Sequence, residues 1–182
     1  MAAGPLQALV VAGPAGSGKS TVAAALAARL GWRALDADEL HSPAAIARMA
    51  AGESLDDAER DPWIARVRTA IDRSLADGEP VVVACSALRR RHRAALRRPG
   101  LGWVMLDVPP DVLAARLQAR PGHFAGRDLL PSQLAALEPP DHGEPVLVVD
   151  GTRAPETIVD AVLGALGLAP GDDRRPPAGS AR

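Results

Sequence analysis

Short apolar runs that end in small or charged residues alternate along this chain with stretches whose apolar positions recur at helical spacing. The runs near residues 6–12, 33–36, 80–85, 102–107 and 145–149 predict five strands. Helical patterns fill the intervals. One follows the first strand from Thr21 to Leu30 and stops at Gly31. The clearest spans Asp56 to Asp77, where Trp63, Ile64, Val67, Ile71, Ser74 and Leu75 share a face and Asp77-Gly78 with Pro80 ends the pattern. Another starts at Asp111 behind Pro109-Pro110, carrying Val112, Leu113, Ala115, Arg116 and Leu117, and a last one covers about Pro155 to Leu168. Strand and helix in strict alternation predict stacked βαβ units, hence an α/β protein whose five-stranded parallel sheet lies in a three-layer α/β/α arrangement. Residues 1–168 read as one domain. Ala169 to Arg182 hold Pro, Gly and charge without apolar periodicity and read as a disordered tail.

Length and charge narrow the partner. A chain of 182 residues suits a single domain with a sizeable core. A net charge of −1 supplies no basic field for nucleic acid or an anionic membrane, so the expected partner is a small molecule. The single cysteine, Cys85, excludes an internal disulfide framework and reads as a buried apolar residue. No leader pattern and no apolar run of spanning length are visible, and the expectation is a soluble cytoplasmic protein.

The chemistry begins directly behind the first strand. Gly13-Pro14-Ala15-Gly16-Ser17-Gly18-Lys19-Ser20 fits the phosphate-loop pattern G-x-x-x-x-G-K-[ST]. Glycines at Gly13, Gly16 and Gly18 let the backbone, with Ala15 and Ser17, wrap anionic oxygens. Lys19 reaches the terminal phosphates, Ser20 offers a hydroxyl to Mg²⁺, and Thr21 opens a helix whose N-terminus favours negative charge. After the second strand come Asp36 and Asp38, two residues apart. Strand alternation puts both on one side at the carboxyl end of the sheet, so that one assists Mg²⁺ and the other receives a substrate hydroxyl. The third strand ends in Cys85-Ser86-Ala87-Leu88 and then Arg89-Arg90-Arg91-His92-Arg93, of which one or two are expected to hold an anionic ligand and the rest to face solvent. His41 reads equally as a substrate contact or a helix-start stabiliser; His92 and His142 read as surface residues. The stretch Arg120 to Asp128, rich in Gly and Pro, reads as a mobile lid over about 120–130 rather than as helix.

Taken together these segments resemble the thermoresistant gluconokinase family, in the shikimate-kinase-like branch of the P-loop kinases. The similarity spans roughly 8–150. Beyond the phosphate loop it is carried by Asp36-x-Asp38-x-Leu40-His41, by Met49-x-x-Gly52-Glu53-x-Leu55-x-Asp57-x-x-Arg60-Asp61-Pro62-Trp63, and by Cys85-Ser86-Ala87-Leu88 with Arg93. Arg116, Arg120, Gly122-His123-Phe124, Leu129-Leu130-x-Ser132-Gln133 and Leu137-Glu138-Pro139-Pro140 complete it. The resemblance implies ATP-dependent phosphorylation of D-gluconate at its 6-hydroxyl, with Mg²⁺, usually in a homodimer. It implies Lys19, Asp38 and Arg120 as catalytic residues, and Ser20 with Asp36 at the metal. Arg116 and Thr152 then fall on the nucleotide side, while Asp38, His41, Arg60, Arg89, Arg93, His123 and Gln133 face the acid. Ala45, Arg48 and His92 depart from the family's usual residues, and Ala125-Gly126 replaces a Met-Pro in the lid. Two other expectations stand beside it: a kinase of another small hydroxy or sugar acid, shikimate among them, and an ATP-binding regulatory protein without transferase activity.

Overall fold

Strand β1 (Ala8–Ala12) is buried at every position because strands flank both its edges and helices cover both faces of the sheet. The computed structural model describes residues 5–119, 124–169 and 171. The expected tail, 169–182, lies outside them apart from 169 and 171. Alternate β1 side chains enter two different cores. Leu9 and Val11 pack with Val22, Leu26 and Leu30 of α1 (Lys19–Leu30) and Ile158, Val159 and Val162 of α7 (Pro155–Leu166). Ala8, Val10 and Ala12 pack with Trp63, Ile64, Val67 and Ile71 of α3 (Asp57–Ala76) and Leu96 of α4 (Arg90–Leu96). The period-two pleat thus builds the three layers from one strand.

The sheet runs β2 (Arg33–Asp36), β3 (Val81–Ala84), β1, β4 (Leu101–Asp107), β5 (Val146–Asp150), and every neighbouring pair is parallel. All five sequence-predicted strands are present. The chain crosses from one side of β1 to the other between β3 and β4, so the crevice for a ligand opens at the carboxyl end of β1, where such sheets bind.

Local sequence explains why α3 is sharply bounded. Asp56 accepts from the Glu59 N–H at 2.9 Å and Glu59 returns the bond to the Asp56 N–H at 2.9 Å, a reciprocal capping box. The segment after β2 differs from the expected strand continuation: Asp36 ends the strand and Ala37–Leu40 form a turn of 3-10 helix, followed by α2 (Pro43–Ala50), which Ser42 caps through Ala45. A second difference concerns the lid. The chain is helical from Phe124, in α6 (Phe124–Ala136), despite Gly126 and Pro131, so the described part of the expected lid is helix, and 120–123 lie outside the described residues. Packing overrides composition there, since Leu130 is buried against Leu113 and Leu117 of α5 (Pro110–Ala119).

Candidate active site

The loop between β1 and α1 is shaped by its glycines. Gly13 has φ +151°, and a Cβ on it would stand 2.6 Å from the Ser17 Oγ; at Gly16, φ +81°, a Cβ would meet the Leu113 carbonyl oxygen at 3.0 Å. Neither position tolerates a side chain without moving the loop. Gly18 caps α1, and Lys19 and Ser20 begin it, so the positive end of the helix faces the crevice. The Ser20 hydroxyl donates to Asp36 Oδ2 at 2.8 Å, and the other Asp36 oxygen accepts the Asp38 N–H at 3.0 Å. One carboxylate therefore fixes both the start of α1 and the turn that carries Asp38. The route differs from the expected one, because Asp38 is aimed by this turn and not by strand alternation.

A cavity of about 650 Å³ opens from the loop. It brings together Ala15, Gly16, Lys19, Ser20, Asp36, Asp38, His41, Arg60, Arg89 and Gln133 of the residues expected from sequence. Its wall opposite the loop is built on α3. His41 stacks on Trp63 with ring centroids 4.4 Å apart and planes within 8°, while the Trp63 Nε1–H donates to the Ala37 carbonyl at 2.7 Å. Trp63, which its spacing marks only as core, is thus also the back of the cavity. Burial holds the His41 pKa below the usual histidine range, against the opposing pull of Asp38, and its Nδ1 has no hydrogen-bond partner among the described residues.

Arginines crowd one end. Arg89 Nε and Arg91 Nη2 each lie 3.2 Å from Asp57 Oδ1, and Arg60 Nη1 lies 3.9 Å from the same oxygen. Burial lowers the Arg60 pKa, with Arg89 and Arg91 adding to the effect and Asp57 resisting it. Arg91 Nη2 also donates to Asp61 Oδ1 at 3.0 Å, so two carboxylates serve three guanidiniums, and Arg60 and Arg89 carry the remaining positive charge to the cavity wall.

Arg93 corrects the expected substrate set. Its side chain is 1% exposed, and four of its five N–H donors are in use: Nε and Nη2 hold Glu144 at 3.0 and 2.7 Å, and Nη1 donates to the carbonyls of Leu88 and Glu138 at 3.0 Å each. It is a buried brace between α4 and the segment before β5. His92 is a second correction, being buried at 3% exposure and lining the cavity where a surface residue was expected; burial holds its pKa down as well. His142 is exposed as expected. Cys85 is fully buried, which pushes its thiol up to about 12 and makes it inert.

Gln133 lines the cavity, with its side-chain carbonyl accepting the Ala15 N–H of the phosphate loop at 2.7 Å. Arg116 Nη1 lies 3.4 Å from the Gly16 and Ser17 carbonyls, outside the cavity, and Thr152 sits exposed in the turn after β5, bonded to Asp150. Thr21 is exposed on the first turn of α1. Arg120 and His123 lie outside the described residues.

A family model described as an AAA domain matches residues 9–140. The chain is 43% identical over 157 residues to a gluconokinase of Gluconobacter oxydans (strain 621H), covering 85% of this chain and 88% of that protein. Among solved structures, an unliganded sugar kinase from Janibacter sp. HTCC2649 superposes with a TM-score of 0.86 at 37% identity, covering 92% of this chain and 98% of that one. A gluconokinase from Sinorhizobium meliloti 1021 superposes with a TM-score of 0.78 at 40% identity, covering 88% and 91%.

Proposed function

The chain belongs to the gluconokinase family, and we propose that this cavity transfers the γ-phosphoryl group of ATP to the 6-hydroxyl of D-gluconate, giving 6-phospho-D-gluconate. The observation that carries the proposal is that a phosphate loop and an arginine-lined acid pocket share one cavity, with Asp38 lining it too. ATP occupies the Gly13–Ser20 loop, with Lys19 on the transferring group and Arg116 and Thr152 on the nucleotide side. Arg60 and Arg89 take the carboxylate, since an incoming anion relieves the positive charge that Asp57 and Asp61 leave uncompensated among three arginines. His41, held below the usual histidine range by burial, offers Nε2 to a hydroxyl of the sugar acid, its Nδ1 being buried. Arg120 and His123 belong to the same proposal, as a cap of positive charge and a hydroxyl partner from the lid side.

Asp38 orients the attacking hydroxyl and accepts its proton as the new oxygen–phosphorus bond forms and the bond from the γ-phosphorus to the β,γ-bridging oxygen breaks, releasing ADP. A loose transition state asks more for orientation and charge neutralisation than for a strong base. The Ser20 hydroxyl and Asp36 carboxylate, 2.8 Å apart, are hard oxygen donors that fit Mg²⁺, and phosphate oxygens and water would complete its shell. When bound, the ion screens the phosphate charge and orients the β- and γ-oxygens. Mg²⁺ dependence and a homodimeric state rest on the family resemblance. Among the described residues no helix is long and apolar enough to cross a membrane.

ADP release measured against D-gluconate, other sugar acids and shikimate tests the assignment. Turnover is expected to be highest with gluconate. Release no faster with any acid than with water would replace the kinase by a nucleotide-binding role, and a preference for another acid would move the acceptor.

A further inference from the structure

One face of α6 roofs the cavity: Leu129, Ser132, Gln133 and Ala136, at positions i, i+3, i+4 and i+7, all line it. Only Gln133 reaches across to the phosphate loop, bonding residues 118 apart in sequence. The bond also orients the amide. An N–H can be met only by the side-chain oxygen, so the Gln133 NH₂ is turned away from Ala15, and no described residue accepts from its two N–H donors. Ala15 is only half-buried at the cavity wall, where water would satisfy its N–H equally well. A neutral amide in this place has a use that a lysine would not: it donates to an anionic phosphoryl oxygen without attracting the substrate carboxylate away from Arg60 and Arg89.

We infer that Gln133 is a positioning residue that ties α6 to the phosphate loop through its carbonyl and presents its two N–H donors to the phosphoryl group in transit between ATP and the acid. The inference rests on the gluconate kinase assignment above and adds to it a link between the roof helix and the donor loop. It also revises the expected role of Gln133 as an acid ligand.

Two variants of the full chain separate tether from donor. Gln133→Glu keeps an acceptor for the Ala15 N–H and loses both donors; Gln133→Leu loses both functions at similar volume. Both are expected to lower kcat at least about 30-fold. In Gln133→Leu, which adds no charge, the KM values for ATP and gluconate should stay within about 3-fold, and melting temperature should not change; in Gln133→Glu the added carboxylate should also raise the KM for ATP. Hydrogen exchange of the free enzyme reads the tether without any substrate: amides of 129–136 should exchange several-fold faster in Gln133→Leu and at the wild-type rate in Gln133→Glu. A wild-type kcat in Gln133→Glu overturns the donor role, and unchanged exchange in Gln133→Leu overturns the tether. If the wild-type enzyme turns over a different acid, the same kcat comparison is made with that acid. If it turns over none, the acceptor assignment and the donor role fail together, and exchange alone decides the tether.

Discussion

Asp38 has its backbone fixed and, among the described residues, no hydrogen bond to its side chain: the N–H is held by Asp36, and the carboxylate lines the cavity. Asp38→Asn should therefore cut kcat about 10²-fold or more while ATP affinity, measured by calorimetry, is nearly retained; Lys19→Ala should damage both. Arg93 obeys a different logic. Its partner Glu144 has a side chain only 6% exposed, so Arg93→Met leaves that carboxylate only the 3.6 Å contact of Arg90 and should cost about 3 kcal/mol in urea denaturation, while Arg93→Met with Glu144→Leu should recover much of the loss. Protonation acts at this scale too. His41 and His92 are held below the usual 6.5 by burial, so the unfolded chain takes up protons first as the pH falls. Stability should be flat above about pH 7 and decline as pH drops through about 6.5. Glu144, held below its ordinary value by the Arg93 hydrogen bonds, contributes stability above the unfolded value that is lost at still lower pH. Denaturant midpoints between pH 8 and 5 check this, and His41→Gln with His92→Gln should flatten the slope between pH 7 and 5.

At the level of elements, α3 carries the acid pocket and depends on its first turn, where the capping box sits one residue from Asp57 and four from Arg60. Asp56→Ala should destabilise the fold by about 1 kcal/mol, read as a lower denaturant midpoint. The limits of α3 were legible because a periodic apolar face and an Asp-Gly stop agree in sequence, and the capping box at Asp56 and Glu59 is what the structure adds. The helical start of α6 was not. Gly126 and Pro131 argue locally against helix, and the compensating contact, Leu130 against Leu113 and Leu117, joins residues distant in sequence. The turn at Ala37–Leu40 escaped notice for a related reason. Its cause is the Asp36 carboxylate capping the turn through the Asp38 N–H, which the D-x-D spacing also fits as a strand end.

On the scale of the molecule, apolar alternation revealed the sheet and both cores, and the phosphate loop revealed the donor half of the site. The acceptor half was visible only in part. Residue type could not distinguish Arg60 and Arg89, which reach the cavity, from Arg93, which a buried glutamate claims, because that choice is made largely by Glu144 and the Glu138 carbonyl, both distant in sequence. His92 and Trp63 likewise gain their places from the packing of α3 on α4 and on the 3-10 turn. What the assembled fold adds is adjacency: loop, Asp38 and arginines open into one volume of about 650 Å³. The most direct test of that adjacency is phosphorus NMR of the purified enzyme with ATP, Mg²⁺ and D-gluconate. The account predicts that the γ-phosphate signal gives way to a phosphomonoester at the 6-position of gluconate, at about 1–100 turnovers per second. Loss of the γ-phosphate to inorganic phosphate alone, with gluconate unchanged, would contradict it.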